Sequence, residues 1–88
     1  MDLSNEVLAR LERLSEAGDP GPWRAMIEGR DHISGDSFIM IGLPGDRRED
    51  MYVTRDSGPA DAATLDLVAV SRTYVPALVA EIRRLRSL

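Results

Sequence analysis

Leu3, Val7, Leu11 and Leu14 recur at helical spacing, with Leu8 widening the stripe and Glu6, Arg10, Glu12, Arg13 and Glu16 on the opposite side. This predicts an amphipathic helix from Leu3 to Ala17, capped by Asp2 or Ser4 and ended by Gly18. Asp19-Pro20-Gly21-Pro22 is a stiff connector, because each proline restricts the residue before it. From Trp23 to Glu28 the period changes to two. Trp23, Ala25 and Ile27 share one side and Arg24, Met26 and Glu28 the other, the pattern of a half-buried strand. Ser37 to Leu43 is nearly all apolar and too short for a helix, which predicts the central strand. After the turn Pro44-Gly45-Asp46, residues Asp50 to Arg55 alternate again, with Met51 and Val53 inward and Asp50 and Tyr52 outward.

Beyond Asp56-Ser57-Gly58-Pro59 the pattern is helical to the end of the sequence. Leu65, Val68, Ala69 and Arg72 share one side of a helix starting near Asp61, and Leu78, Val79, Ile82 and Leu85 share one side of the last stretch. Pro76 lies between the two groups. Interior proline breaks a helix, so a boundary or kink is expected between Arg72 and Val75, with Thr73 capping the second piece. Short connections between strands favour antiparallel neighbours. The expected fold is therefore a single α+β domain, a three-stranded antiparallel meander in the order α-β-β-β-α-α. Met26, Met40 and Tyr52 leave the outer sheet face partly apolar, which invites a homodimer.

Composition narrows the function. Eighty-eight residues hold one core. With no cysteine, disulfide scaffolds, thiol nucleophiles and Cys-ligated metals are excluded. A net charge of −4 argues against gripping a nucleic acid backbone, although all eleven basic side chains are arginine. No run approaches the ~20 apolar residues of a membrane helix, and the acidic start lacks the basic region of a signal peptide. The expectation is a cytoplasmic protein with no membrane partner and no cofactor.

The stretch Gly29 to Met40 joins a charged loop holding the sole histidine to the most apolar short run. His32 is the obvious general base or metal ligand, with Glu28, Asp31 and Asp36 close in sequence. One histidine among scattered acids matches no defined ligand spacing, so no metal site and no catalytic set is assigned. A structural loop clamp made of Asp31, His32, Asp36 and Arg72 is the simpler reading, Arg72 turning in from the helix break toward Asp31 or Asp36. Arg30, His32, Arg47, Arg48, Trp23 and Tyr52 are candidate ligand-binding residues: arginine pairs suit phosphate or carboxylate, and Trp23 offers a stacking surface. The alternative for Arg47 and Arg48 is local pairing with Asp46, Glu49 and Asp50.

Gly29-Arg30-Asp31-His32, Gly35-Asp36-Ser37-Phe38-Ile39-Met40, Arg47, Glu49-Asp50 and the tail from Leu65 to Leu85 together resemble a family of small bacterial proteins with the pattern GRDH…GxSFIM…ARxDxPxLIxEIRxLR. The tail and Gly21-Pro22-Trp23 are also similar to small phage and prophage proteins, including the Ea22-like group. The likeness covers about three quarters of the chain, which departs from the pattern at Leu67-Val68, Ser71 and Tyr74. It implies a shared fold and no particular activity. Three functions follow for testing. The first is a non-enzymatic module that associates with itself and then with a protein or small anionic ligand. The second is a binder that sequesters a nucleotide-like signal, as phage proteins do. The third is a small enzyme using His32 with Asp31 or Asp36.

Overall fold

In the computed structural model, which describes residues 2–88, helix α1 (Asn5–Ala17) begins and ends at its caps. The Ser4 hydroxyl accepts the Val7 N–H, and the Gly18 N–H returns to the Leu14 carbonyl. Leu8 is the fully buried member of its stripe, whereas Leu3, Val7 and Leu14 stay exposed. The stripe is thus rotated partly out of the interior, because α1 packs against a single partner helix.

Strands β1 (Trp23–Met26) and β2 (Phe38–Ile41) pair antiparallel, Trp23 opposite Ile41 and Met26 opposite Phe38. The opposite edge of β2 meets only a short stretch of chain. Ile39 and Met51 exchange both backbone hydrogen bonds, and Arg48 N–H donates to the Ile41 carbonyl. The third strand expected over Asp50–Arg55 goes no further along β2. Continuing that register would set Val53 opposite Ser37, where β2 has not yet begun. The chain instead folds back on itself: Ala60 N–H donates to the Val53 carbonyl, and β3 (Thr54–Arg55) pairs antiparallel with β4 (Gly58–Pro59). The fold is α+β with two small antiparallel hairpins, not a three-stranded meander.

Helix α2 (Ala62–Arg86) is one continuous helix, which corrects the expected break. Pro76 lies inside it and withholds the N–H that would reach the Arg72 carbonyl. The helix runs on because other elements hold it on both sides of that defect. Leu65 and Ala69 are buried in the core ahead of it, and Val79 is buried after it. Thr73 caps nothing: its hydroxyl lies 2.9 Å from the Ala69 carbonyl, one turn back. By length and composition alone α2 is long and apolar enough to cross a membrane, which no apolar run in the sequence had suggested. In this fold its internal charges are engaged with neighbouring elements, Asp66 with Arg30 and Arg72 with Ser15 and Asp19.

The core joins Ala25, Ile27, Ile39, Ile41, Ala60, Leu65 and Ala69, flanked by Trp23, Met51, Val53 and Val68. Leu8 and Val79 are buried outside that cluster, where α1 runs along the C-terminal half of α2. The molecule measures 49 × 32 × 21 Å, elongated along α2.

Candidate functional site

The loop from Ile27 to Ser37 is built on backbone groups that a strand would otherwise leave open. Gly42 N–H donates to the Pro22 carbonyl, so Trp23, Ala25 and Ile27 present their backbone groups to the edge of β1 away from β2. Side chains close that edge. The Thr73 hydroxyl accepts the Trp23 N–H at 3.0 Å and lies 3.1 Å from the Trp23 carbonyl. Arg30 reaches the Ala25 carbonyl at 3.4 Å, and the Asp31 carboxylate accepts the Ile27 N–H at 2.8 Å. Around them the loop winds tightly: Arg30 and Asp31 N–H both donate to the Ile27 carbonyl, Gly29 N–H to the His32 carbonyl, and Glu28 N–H to the Ser37 hydroxyl.

His32 sits inside this loop with Nδ1 2.9 Å from the Ser34 carbonyl and Nε2 3.2 Å from that of Met26. Whichever ring nitrogen carries hydrogen donates it to backbone. The imidazole also begins an aromatic row, 5.5 Å from Phe38, which is in turn 5.4 Å from Tyr52. Asp31 does not bond His32. Its carboxyl is held below its ordinary range first by the Ile27 N–H and then by Arg30. Among the described residues no three His, Asp or Glu side chains gather as a metal site.

Arg30 makes the link between loop and helix that the sequence assigns to Arg72. Its guanidinium holds both Asp66 oxygens, at 2.9 and 3.0 Å, and touches Asp31 at 2.9 Å. These contacts push the Arg30 pKa up and the Asp66 carboxyl down. Arg72 points elsewhere. It donates to the Ser15 and Asp19 carbonyls behind α1 and lies 5.9 Å from the Trp23 ring centroid. The expected Arg72 contact with Asp31 or Asp36 is therefore absent, and Asp36 contributes no side-chain hydrogen bond to the loop among the described residues.

The six candidate ligand residues do not converge. Arg30 is occupied by Asp66, and His32 by two carbonyls. Arg47 pairs with Asp50 at 2.5 Å, and Arg48 lies 4.0 Å from Asp46, the local pairing weighed as the alternative. Tyr52 closes the aromatic row on the loop side, whereas Trp23 stands at the other end of β1 beside α2, its indole N–H on the Pro20 carbonyl.

Trp23 instead lines a cavity of about 390 Å³ with Pro22, Arg24, Met40, Gly42, Leu43, Pro44, Val70, Thr73 and Tyr74. Gly42 shapes its rim. With φ at +89° and the Asp46 carbonyl 2.5 Å from where a Cβ would lie, no other residue fits there without moving backbone. Sequence reasoning missed Arg24 and Tyr74 here because the cavity joins residues about fifty positions apart. A hint for Thr73 was present: it continues the spacing of Leu65 and Ala69, so a polar group there meets the core and needs a partner. Asp66, the lone acid between Leu65 and Ser71, carried a similar signal. No family model, curated protein or solved structure matches this chain.

Proposed function

We propose that this protein is a non-enzymatic interaction module that pairs with a second copy of itself through the outward face of α2. The observation that carries the reading is a row of large apolar side chains with nothing over them: Leu67, Val70, Tyr74 and Leu78 are 66%, 55%, 58% and 59% exposed. A small soluble protein rarely leaves so continuous an apolar strip to water. With Ala63 and Ala77 these side chains advance by alternating steps of about four and three residues, the spacing of a helix seam made for another helix.

A second copy fits the charge pattern as well. The N-cap of α2 is Asp61, and its last turn carries Arg83, Arg84 and Arg86. Two α2 helices crossing antiparallel about a two-fold axis would set Val70 against Tyr74 of the partner and Leu67 against Ala77. Asp61 would then approach Arg84. Such a contact is self-complementary, as an isologous dimer requires. The face differs from the outer sheet face that the sequence suggests for a dimer. There Met26 and Met40 are half-buried, which leaves Tyr52 as the exposed large side chain.

Light scattering coupled to size exclusion tests the reading. The wild type should run at twice the 9.7 kDa chain mass, and Leu67→Glu at the single-chain mass with an unchanged circular dichroism spectrum. A wild type that stays at 9.7 kDa up to high micromolar concentration refutes it.

A further inference from the structure

The cavity between the end of the β1–β2 hairpin and the middle of α2 has the make-up of a ligand site. Its volume of about 390 Å³ lies within the range of small-molecule sites, roughly 300–1,000 Å³. Trp23, Met40, Leu43, Pro44 and Val70 give it an apolar wall with one aromatic face. Two polar side chains in the lining are unspent. Among the described residues Arg24 forms no ion pair and the Tyr74 hydroxyl makes no hydrogen bond. Thr73, the other hydroxyl there, is already committed to Trp23 and Ala69. Among the described residues no carboxylate lines the cavity, so Arg24 is the one charged side chain in its lining.

We propose that this cavity binds a flat aromatic carboxylic acid, its carboxylate on Arg24 and the Tyr74 hydroxyl and its ring against Trp23 and Met40. A phosphate-bearing ligand fits less well. It carries more charge than one guanidinium balances, and the cavity offers no helix N-terminus to share it. A neutral apolar guest would leave Arg24 without a role.

Arg24 lies on the exposed side of β1, and its charge adds a little to the lowering of the Asp31 carboxyl. Arg24→Gln removes the charge and spares the buried neighbours Ala25 and Ile27. The test is a titration of the full chain with 2-naphthoate and with its uncharged counterpart 2-naphthamide, followed by amide and indole NMR shifts. Saturable shifts are expected at the Trp23 indole, Gly42, Val70 and Thr73. The acid should bind about tenfold tighter than the amide, as a charge-assisted hydrogen bond implies. In Arg24→Gln the acid should fall to the level of the amide, with the melting temperature unchanged. Equal affinities for acid and amide in the wild type overturn the proposal, as does the absence of saturable shifts at millimolar ligand. The cavity shares Val70 and Tyr74 with the proposed self-association face, so the titration is repeated on Leu67→Glu to separate the two. Retained binding there supports a site within one chain, and lost binding overturns it.

Discussion

The two halves of α2 are held mainly by different forces, although Asp66 in the first half also pairs with Arg30. Ahead of Pro76 the helix lies beneath the hairpin, with Leu65 and Ala69 buried in an aliphatic core and Thr73 tied to the backbone of β1. Beyond it, Val79 is the one buried side chain, and the helix is strapped to α1 by charge. Arg83 holds both Glu12 oxygens, at 3.0 and 2.7 Å, while Arg86 reaches the Leu3 carbonyl and the Asn5 side chain. Apolar burial is insensitive to salt and costly to undo, whereas half-exposed ion pairs are screened and contribute little. One unbroken helix can thus be firm at one end and loose at the other. Its secondary structure says nothing about that gradient; the partners decide it.

The largest expected effect comes from cutting the core. Leu65→Ala should cost about 2–5 kcal/mol in urea unfolding, and Val79→Ala clearly less. Equal losses would break the distinction between the halves. Next is Thr73→Val, similar in shape but without the hydroxyl that accepts the Trp23 N–H. Leaving that donor unpaired should cost about 1–3 kcal/mol, and a loss no greater than that of an exposed-site change would mean that water takes its place.

The smallest effect concerns acid. Arg83 holds the Glu12 carboxyl below its ordinary range. A carboxyl depressed in the folded state contributes stability above its ordinary pKa, and that contribution is lost as pH falls through the folded value. Below about pH 4, amide exchange near Arg83 should therefore quicken before exchange near Ala69. Glu12→Gln should remove that difference in onset. Simultaneous opening of both regions would show that the helix responds as one unit.

What could be read from the sequence was whatever local chemistry decides. Ser4 and Gly18 bound α1 because caps act within a turn, and the apolar run after Ser37 could only be a buried strand. The end of the third strand was illegible because it depends on the length of its partner: β2 starts at Phe38, so in the Ile39–Met51 register nothing beyond Tyr52 has a residue of β2 opposite it. The break expected near Pro76 followed a local rule, and packing on either side of the proline, supplied by residues far away in sequence, outweighs it. In the loop, Asp31 and His32 act within a few positions of themselves, so their tight contacts were within reach of sequence reasoning. The bond from Arg30 to Asp66 spans 36 positions, and no spacing rule points across that distance.

The closed edge of β1 bears on how this protein can meet other chains. A strand edge with free backbone groups is a template on which a foreign strand can add, in recognition or in aggregation. Here Thr73, Arg30 and Asp31 occupy most of that edge, which hinders strand addition there. That protection hangs on single residues. Replacing Asp31 or Thr73 frees a backbone N–H at the rim of a short sheet, and one point mutation would recruit neighbours by β-pairing where the native chain resists it.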